Sequence, residues 1–165
     1  MIIIALGGNL NSSAGLPAQT LDAALRELEQ HGVIIAEVSP YYVTPAWPDP
    51  ADPPFVNAVA RVATKLSPHA LMELLHKTET AFGRVRSARN APRTLDLDLV
   101  DYDGRVEQGP PLLPHPRVAE RGFVLVPLAD VAPDWIHPVT RKTVRDLIAA
   151  LPDEDRRIER LTSEA

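Results

Sequence analysis

The chain has no cysteine among its 165 residues. That excludes disulfides, thiolate-ligated zinc, iron–sulfur clusters and thiol catalysis, and it fits a reducing compartment. No apolar run approaches the ~18 residues of a membrane span. The start, Met1-Ile-Ile-Ile-Ala-Leu-Gly-Gly, lacks a basic n-region, so it reads as a first strand and not as a secretion signal, and a cytoplasmic protein is expected. Positive charge is also scarce. A net charge of -5 argues against nucleic-acid and anionic-membrane partners, which call for a basic face. Finally, there is no Gly-x-x-x-x-Gly-Lys-Ser/Thr loop and no protein-kinase motif, so phosphotransfer here would use neither of those two machineries.

What is present suits one domain. Hydrophobic residues make up 45% of the chain, enough for an unstapled core, and residues 1–165 are expected to form a single catalytic domain. Ile2 to Leu6 is a short apolar run ending in Gly7-Gly8, read as a buried strand and a tight turn. Leu21, Ala24, Leu25 and Leu28 keep helical spacing before Gly32. Val33 to Val43 reads as one strand, and Phe55 to Thr64 as another. Between them, Pro45 to Pro54 holds five prolines and can be neither helix nor central strand. Ser67-Pro68 opens the clearest helix, with an N-cap serine and an N1 proline, and Gly83 closes it. Thr94 to Tyr102 alternates as a strand before an Asp103-Gly104 turn signal. Phe123 to Val126 reads as a short strand or irregular core segment, Thr143 caps a last helix through Leu151, and the charged tail from Asp153 is expected to fray. The mixture predicts an α+β fold with a mainly antiparallel sheet and helices packed on it.

The sharpest chemistry lies in Arg93-Thr94-Leu95-Asp96-Leu97-Asp98-Leu99. Alternation sends the leucines inward and Thr94, Asp96 and Asp98 outward. Along a strand the two carboxylates are ~6.6 Å apart, a gap that side chains can close around one divalent ion or two. Oxygen ligands with no His or Cys nearby suit magnesium, which takes one or two carboxylates plus phosphates. The ordinary reading of a bare Asp-x-Asp is a wet strand face. The preceding loop shifts that reading, because Arg84, Arg86, Arg89 and Arg93 crowd into ten residues of an acidic chain. Arginine forks match phosphate oxygens, whereas mutual surface pairing of Arg and Asp contributes only ~0–1 kcal/mol. Acids that need a cation beside cations that need anions imply a phosphate-rich ligand with its own metal.

The run Arg89-Asn90-Ala91-Pro92-Arg93-Thr94-Leu95-Asp96-Leu97-Asp98-Leu99-Val100 resembles the signature of the 6-hydroxymethyl-7,8-dihydropterin pyrophosphokinases of folate biosynthesis. Other segments similar to that family follow in order: Ala5 to Leu10, Tyr42 to Pro45, Phe55 to Ala58, Glu79 with Phe82 to Arg86, Pro114 to Arg117, and Arg121 to Phe123. The resemblance covers about Ile2 to Leu151.

It implies a ferredoxin-like two-layer sandwich and transfer of the terminal diphosphate of ATP to the pterin hydroxymethyl oxygen, releasing AMP. By the same resemblance Asp96 and Asp98 would bind two magnesium ions, and Arg84 and Arg93 would join them as catalytic residues. Phe55 and Phe123 would sandwich the pterin while Asn57, Thr44 and Pro45 meet its edge. ATP would meet His76, Glu79, Arg84, Arg86, Arg93, Leu99, His115 and Arg121. The substrates would be small molecules, the protein a monomer. Taken alone, Phe55 and Phe123 read as core, His115 as a loop residue, and His76 and Glu79 as exposed-helix polarity. Two departures stand out. Asn90 occupies a place where many members carry tryptophan, and prolines stiffen a loop that moves in the family. Trp47, in that loop, is a candidate substitute lid. Two other functions stay open on the residues alone: a different magnesium-dependent enzyme acting on phosphoanhydrides, such as a nucleotidyltransferase, or a nucleotide sensor without turnover.

Overall fold

A computed structural model describes residues 1–85 and 91–162. Its elements are β1 (Ile2–Gly8), α1 (Pro17–Gln30), β2 (Val33–Val38), β3 (Tyr42–Thr44), β4 (Phe55–Thr64), α2 (Pro68–Ala81), β5 (Asp96–Tyr102), β6 (Glu107–Gln108), β7 (Leu112–Leu113), α3 (Gly122–Val131), α4 (Val144–Ala149), α5 (Asp153–Arg156) and β8 (Glu159–Arg160), with a 3-10 turn at Val118–Glu120. The main sheet runs β5-β1-β4-β3-β8, β2 pairs with the far half of β4, and every pairing is antiparallel.

This is the expected α+β fold, with α1 and α2 on one face. Ile2, Ile4, Leu6, Ala58, Ala60, Leu95, Leu97 and Leu99 meet Leu21, Leu28, Leu71 and Leu75 there. The C-terminal helices cover the other face and add a layer to the two expected: Ile3, Ala5, Val59 and Val100 pack on Val124, Leu125, Leu128 and Leu147. Each such side chain contributes ~1.5–3 kcal/mol when fully buried, so both faces hold the sheet.

Four local expectations change. First, Val33 to Val43 is two strands. Ser39 turns inward, its hydroxyl accepting from Val59 N at 3.0 Å and donating to Pro40 O at 2.8 Å, and proline has no N–H for the ladder. Second, Gly7-Gly8 is not a turn but the end of β1. A Cβ on Gly7 would lie 2.7 Å from Asn57 Oδ1, and one on Gly8 2.6 Å from Thr94 O, so these glycines let neighbouring groups approach. Third, Phe123 to Val126 belongs to helix α3. Pro127 sits inside it and disguises its pattern, but the buried Val124, Leu125, Leu128 and Val131 share one helical face, and their burial outweighs the lost hydrogen bond. Fourth, the tail does not fray over its described length. Asp153–Arg156 form α5, Glu159–Arg160 form β8, and Leu161 N donates to Tyr41 O at 2.7 Å. The Asp103-Gly104 turn does form, with φ of 53° and 71°, but the strand after it pairs with β7 and not with β5.

Candidate active site

Sheet register builds the floor of the site. Gly7 pairs with Asn57 on one side and Asp96 on the other, and Ala5 pairs with Val59 and Asp98. Asn57, Gly7 and Asp96 therefore form one row across three strands, on the face covered by α3. Because Gly7 has no side chain, the floor between the amide and the carboxylate stays open. Asn57 is buried and donates from Nδ2 to Thr44 Oγ1 at 2.8 Å, which fixes the orientation of its oxygen.

Arginines converge on the two acids. Arg84 follows the C-terminus of α2, where Gly83 takes φ +85°, and its Nη1 donates to Asp96 Oδ1 at 2.7 Å and to Glu79 Oε2 at 2.5 Å. Arg93 Nη1 donates to Asp96 Oδ2 at 3.1 Å, and its guanidinium lies 5.6 Å from the centroid of the Phe55 ring. Arg121 Nη1 stands 3.6 Å from Asp98 Oδ2 and its guanidinium 5.5 Å from the Phe123 ring centroid. Each arginine is thus held by acids or by an aromatic face. His115 Nε2 is 4.0 Å from Asp98 Oδ2. Its Nδ1 accepts from Arg117 N at 3.1 Å, which leaves Nε2 as the protonated nitrogen facing the acid. Burial, aided by Arg121, lowers the His115 pKa to about 4, so the ring is neutral.

Burial has the opposite effect on the acids. Asp98 is lifted to about 6, mainly by burial and also by the Asp96 charge, while Arg121, Arg84 and Arg93 oppose the shift. Glu79 is lifted to about 7, again mainly by burial, against the Leu97 N–H and Arg84. A carboxyl raised in the folded state stabilises it below the ordinary carboxylate range, and that contribution is lost as pH climbs through the raised value. Metal-free protein is therefore expected to lose stability, on this account, between about pH 4 and 7. A cation that takes these carboxylates ionised should offset the loss. Magnesium is expected to raise Tm more at about pH 7.5 than at about pH 5. Thermal melts with and without the ion check this, and an equal shift at both pH values would count against metal at Asp98.

The donor set fits a hard cation. Among the described residues no group of three or more His, Asp or Glu is arranged to hold a metal. A lone carboxylate pair suits magnesium that keeps waters and takes phosphate oxygens.

Two cavities meet at Asp98. One, of about 320 Å³, is lined by Thr44, Pro45, Phe55, Asn57, Arg93, Asp96, Asp98, Arg121 and Phe123, with Trp47, Arg117 and Asp155. The other, of about 570 Å³, is lined by His76, Leu97, Asp98, Leu99, His115 and the Pro110-Pro111 turn. Neither lining includes Glu79 or Arg84. Glu79 is 3% exposed and accepts from Leu97 N at 2.8 Å, so it is a buried anchor for Arg84 and β5 and not a polar residue of an exposed helix face. Arg86, Arg89 and Asn90 fall outside the described residues.

Asn9 was not singled out from sequence. Its Oδ1 accepts from Arg93 N at 2.8 Å, and its Nδ2 donates to Pro53 O at 3.0 Å, tying the arginine loop to the proline loop. The signal available was its polarity directly after an apolar strand.

The family model for 7,8-dihydro-6-hydroxymethylpterin-pyrophosphokinase (HPPK) matches residues 3–133. The 2-amino-4-hydroxy-6-hydroxymethyldihydropteridine pyrophosphokinase of Pseudomonas aeruginosa is 41% identical over 163 residues, 97% of this chain and 96% of that protein. Its Methylorubrum extorquens namesake is 40% identical over 144 residues, covering 86% and 90%, and that of Synechocystis is 39% identical over 148 residues, covering 88% and 73%. Among solved structures, Plasmodium falciparum HPPK-DHPS with pteroate superposes with a TM-score of 0.69 at 13% identity, over 88% of this chain and 43% of that one; it supports the fold. With the acid pair, its arginines and these relatives in hand, the chain belongs to the 7,8-dihydro-6-hydroxymethylpterin-pyrophosphokinase family.

Proposed function

We propose that this pyrophosphokinase transfers the terminal diphosphate of ATP to the hydroxymethyl oxygen of 6-hydroxymethyl-7,8-dihydropterin, in line, releasing AMP. The observation that carries this reading is the pair of cavities sharing Asp98. An aromatic-walled cavity with a buried amide suits a flat heterocycle edged with donors and acceptors. A second cavity lined by His76, His115 and the shared Asp98, with Arg121 reaching that acid from the first cavity, suits a nucleotide polyphosphate. The acceptor oxygen and the phosphates would then meet at the carboxylates.

Asp96 and Asp98 would hold two magnesium ions, which supply Lewis acidity and a template for in-line attack on the β-phosphorus. Phe55 and Phe123 stack on the two faces of the pterin, while Asn57 and the Thr44–Pro45 backbone read its edge. Arg93 and Arg121 exchange carboxylate partners for phosphate oxygens when the nucleotide is bound. Arg84, held by Glu79, keeps its charge beside Asp96 as negative charge develops on the bridging oxygen. Neutral His115 donates from Nε2 to the nucleotide, and His76 and Leu99 border the same cavity. Arg86 is a further phosphate candidate by resemblance. The enzyme is proposed to act as a cytoplasmic monomer. No helix among the described residues is long and apolar enough to cross a membrane.

Incubation with ATP, magnesium and the pterin alcohol tests the reading. AMP formed only when pterin is present supports it. ADP or free pyrophosphate would point to another phosphoanhydride enzyme, and binding without product to a sensor. Trp47 is 72% exposed yet borders the first cavity, as a lid residue would. Trp47→Ala is expected to weaken pterin binding about tenfold, the scale of one lost aromatic contact. Titration of the pterin onto enzyme holding a non-hydrolysable ATP analogue reads this, and an unchanged Kd ends the lid role.

A further inference from the structure

Transfer of a diphosphate sets a task that transfer of one phosphoryl group does not. On the function proposed above, on which this inference rests, the acceptor oxygen bonds to the β-phosphorus. The bond from that phosphorus to the α–β bridging oxygen breaks, and AMP departs with the bridging oxygen. The γ-phosphate is neither attacked nor released. It hangs from the side of the reacting centre and ends on the pterin, so the acceptor side of the site must hold a second phosphate.

The turn after β7 carries a residue placed for this. His115 and Pro116 line the second cavity, whereas Arg117 and Arg121 line the first. The chain thus crosses from one cavity to the other between Pro116 and Arg117, next to the Asp98 that both cavities share. The backbone there is fixed. His115 N donates to Val100 O at 2.9 Å, Arg117 N donates to His115 Nδ1 at 3.1 Å, and Glu120 N donates to Arg117 O at 3.0 Å. Val118, the next residue, is buried in the core beneath the C-terminal helices. The Arg117 side chain is exposed, a long cation on a fixed base.

Its charge is also uncommitted. Arg84 and Arg93 pair with Asp96, and Arg121 stands at Asp98. Among the described residues no hydrogen bond, ion pair or aromatic ring engages the Arg117 guanidinium. Asp155, a further acid of the same lining, makes no ion pair with it. A solvated surface position is the ordinary reading of an exposed arginine. Here the guanidinium borders a cavity whose other arginines are already held by acids, so an anion can reach Arg117 with no ion pair broken. Its planar fork matches phosphate oxygens.

We propose that Arg117 binds the diphosphate that is transferred, first as the β,γ end of ATP and then as the diphosphate of the product. Arg117 lines the cavity of the acceptor and not that of the nucleoside, so the α-phosphate, which leaves with AMP, is left to His115.

Four titrations on wild type and Arg117→Ala test this, all with saturating magnesium. The ligands are ATP with a methylene in place of the α–β bridging oxygen, AMP, the pterin diphosphate, and the pterin alcohol on enzyme saturated with the ATP analogue. Arg117→Ala is expected to raise Kd about tenfold for the ATP analogue and for the pterin diphosphate, the scale of one charge-assisted hydrogen bond. AMP and the pterin alcohol should stay within about twofold, because the backbone N–H that orients His115 is retained. Arg117→Lys, which keeps the charge and loses the fork, should recover part of the loss. An unchanged Kd for the pterin diphosphate overturns the proposal. So does an equal loss for AMP, which would place the guanidinium at the α-phosphate, or for the pterin alcohol, which would make it a wall of the ring site. Should Arg117→Ala not fold, Arg117→Met keeps the aliphatic stem and carries the same four titrations. Wild type that binds neither the ATP analogue nor the pterin diphosphate overturns the parent reading and this one together; normal wild-type binding with unmoved variants overturns this one only.

Discussion

Asp96→Ala and Asp98→Ala are each expected to lower kcat by on the order of 10³-fold or more, the equivalent of about 4 kcal/mol of transition-state stabilisation from metal and charge. The two acids sit differently, and the variants should differ accordingly. Asp96 bridges Arg84 and Arg93, so losing it also takes a carboxylate from both arginines, with Glu79 still holding Arg84. Asp98 borders both cavities and is lifted to about 6 by burial, so in metal-free protein its ionised form is a burden. Asp98→Asn should therefore match or exceed wild type in Tm at about pH 7.5 while losing turnover, since a raised carboxylate weakens the fold above its pKa. Steady-state AMP release and thermal melts on the same samples read both effects. Turnover within tenfold of the parent in either alanine variant would refute the metal role.

Gly7→Val is the second large effect. The position lies in the row between Asn57 and Asp96, and even a Cβ there would stand 2.7 Å from Asn57 Oδ1. Asn57 cannot swing away without breaking its bond to Thr44. A branched side chain would fill the floor on which the pterin lies and displace the amide that reads it. Pterin kcat/KM is expected to fall about 10²-fold or more, the scale of a misplacement near 1 Å. Binding of a nucleotide analogue should persist, because Gly7 does not line the second cavity. Calorimetry with each ligand separates the two, and parallel loss of both would show a folding defect instead.

The sequence exposed those elements whose stability is local. Helix α2 carries its own cap, with Ser67 Oγ accepting from Ala70 N at 3.1 Å, and β4 shows a nearly continuous apolar run because both its faces meet a core. The acid pair was legible for the same reason: Leu95, Leu97 and Leu99 fix the phase of β5. Elements decided by distant partners were not. The burial that holds α3 together depends on a sheet face assembled from other strands, and Pro127 conceals the helix. The split between β2 and β3 depends on Ser39 reaching Val59. The depth of Glu79 depends on Leu97 N, 18 residues away. The role of Gly7 needs three strands in register before it exists at all, and Asp155 reaches the cavity only because α5 folds back on α3.

Strand β5 contains an irregularity, since Ile3 pairs with Asp101 while Ile4 pairs with Leu99. Val100 is therefore an extra residue, and both it and Asp101 lie on the α3 face, where Asp101 accepts from Trp135 Nε1 at 2.8 Å. The bulge works as a phase shifter between the catalytic half of the strand and its anchored half. Tyr102, bonded to Leu66 O, and Asp101 hold the far half in place. Were the strand regular, the alternation that carries Asp96 and Asp98 on the α3 face would put Asp101 on the leucine face and Tyr102 on the α3 face. With the extra residue, Asp101 meets Trp135 while Tyr102 joins the core beneath α1 and α2. The insertion thus lets the acids and the anchors beyond them each keep their own phase, and the same bulge offers Val100 O to His115 N at 2.9 Å, bringing the imidazole to the acid it faces.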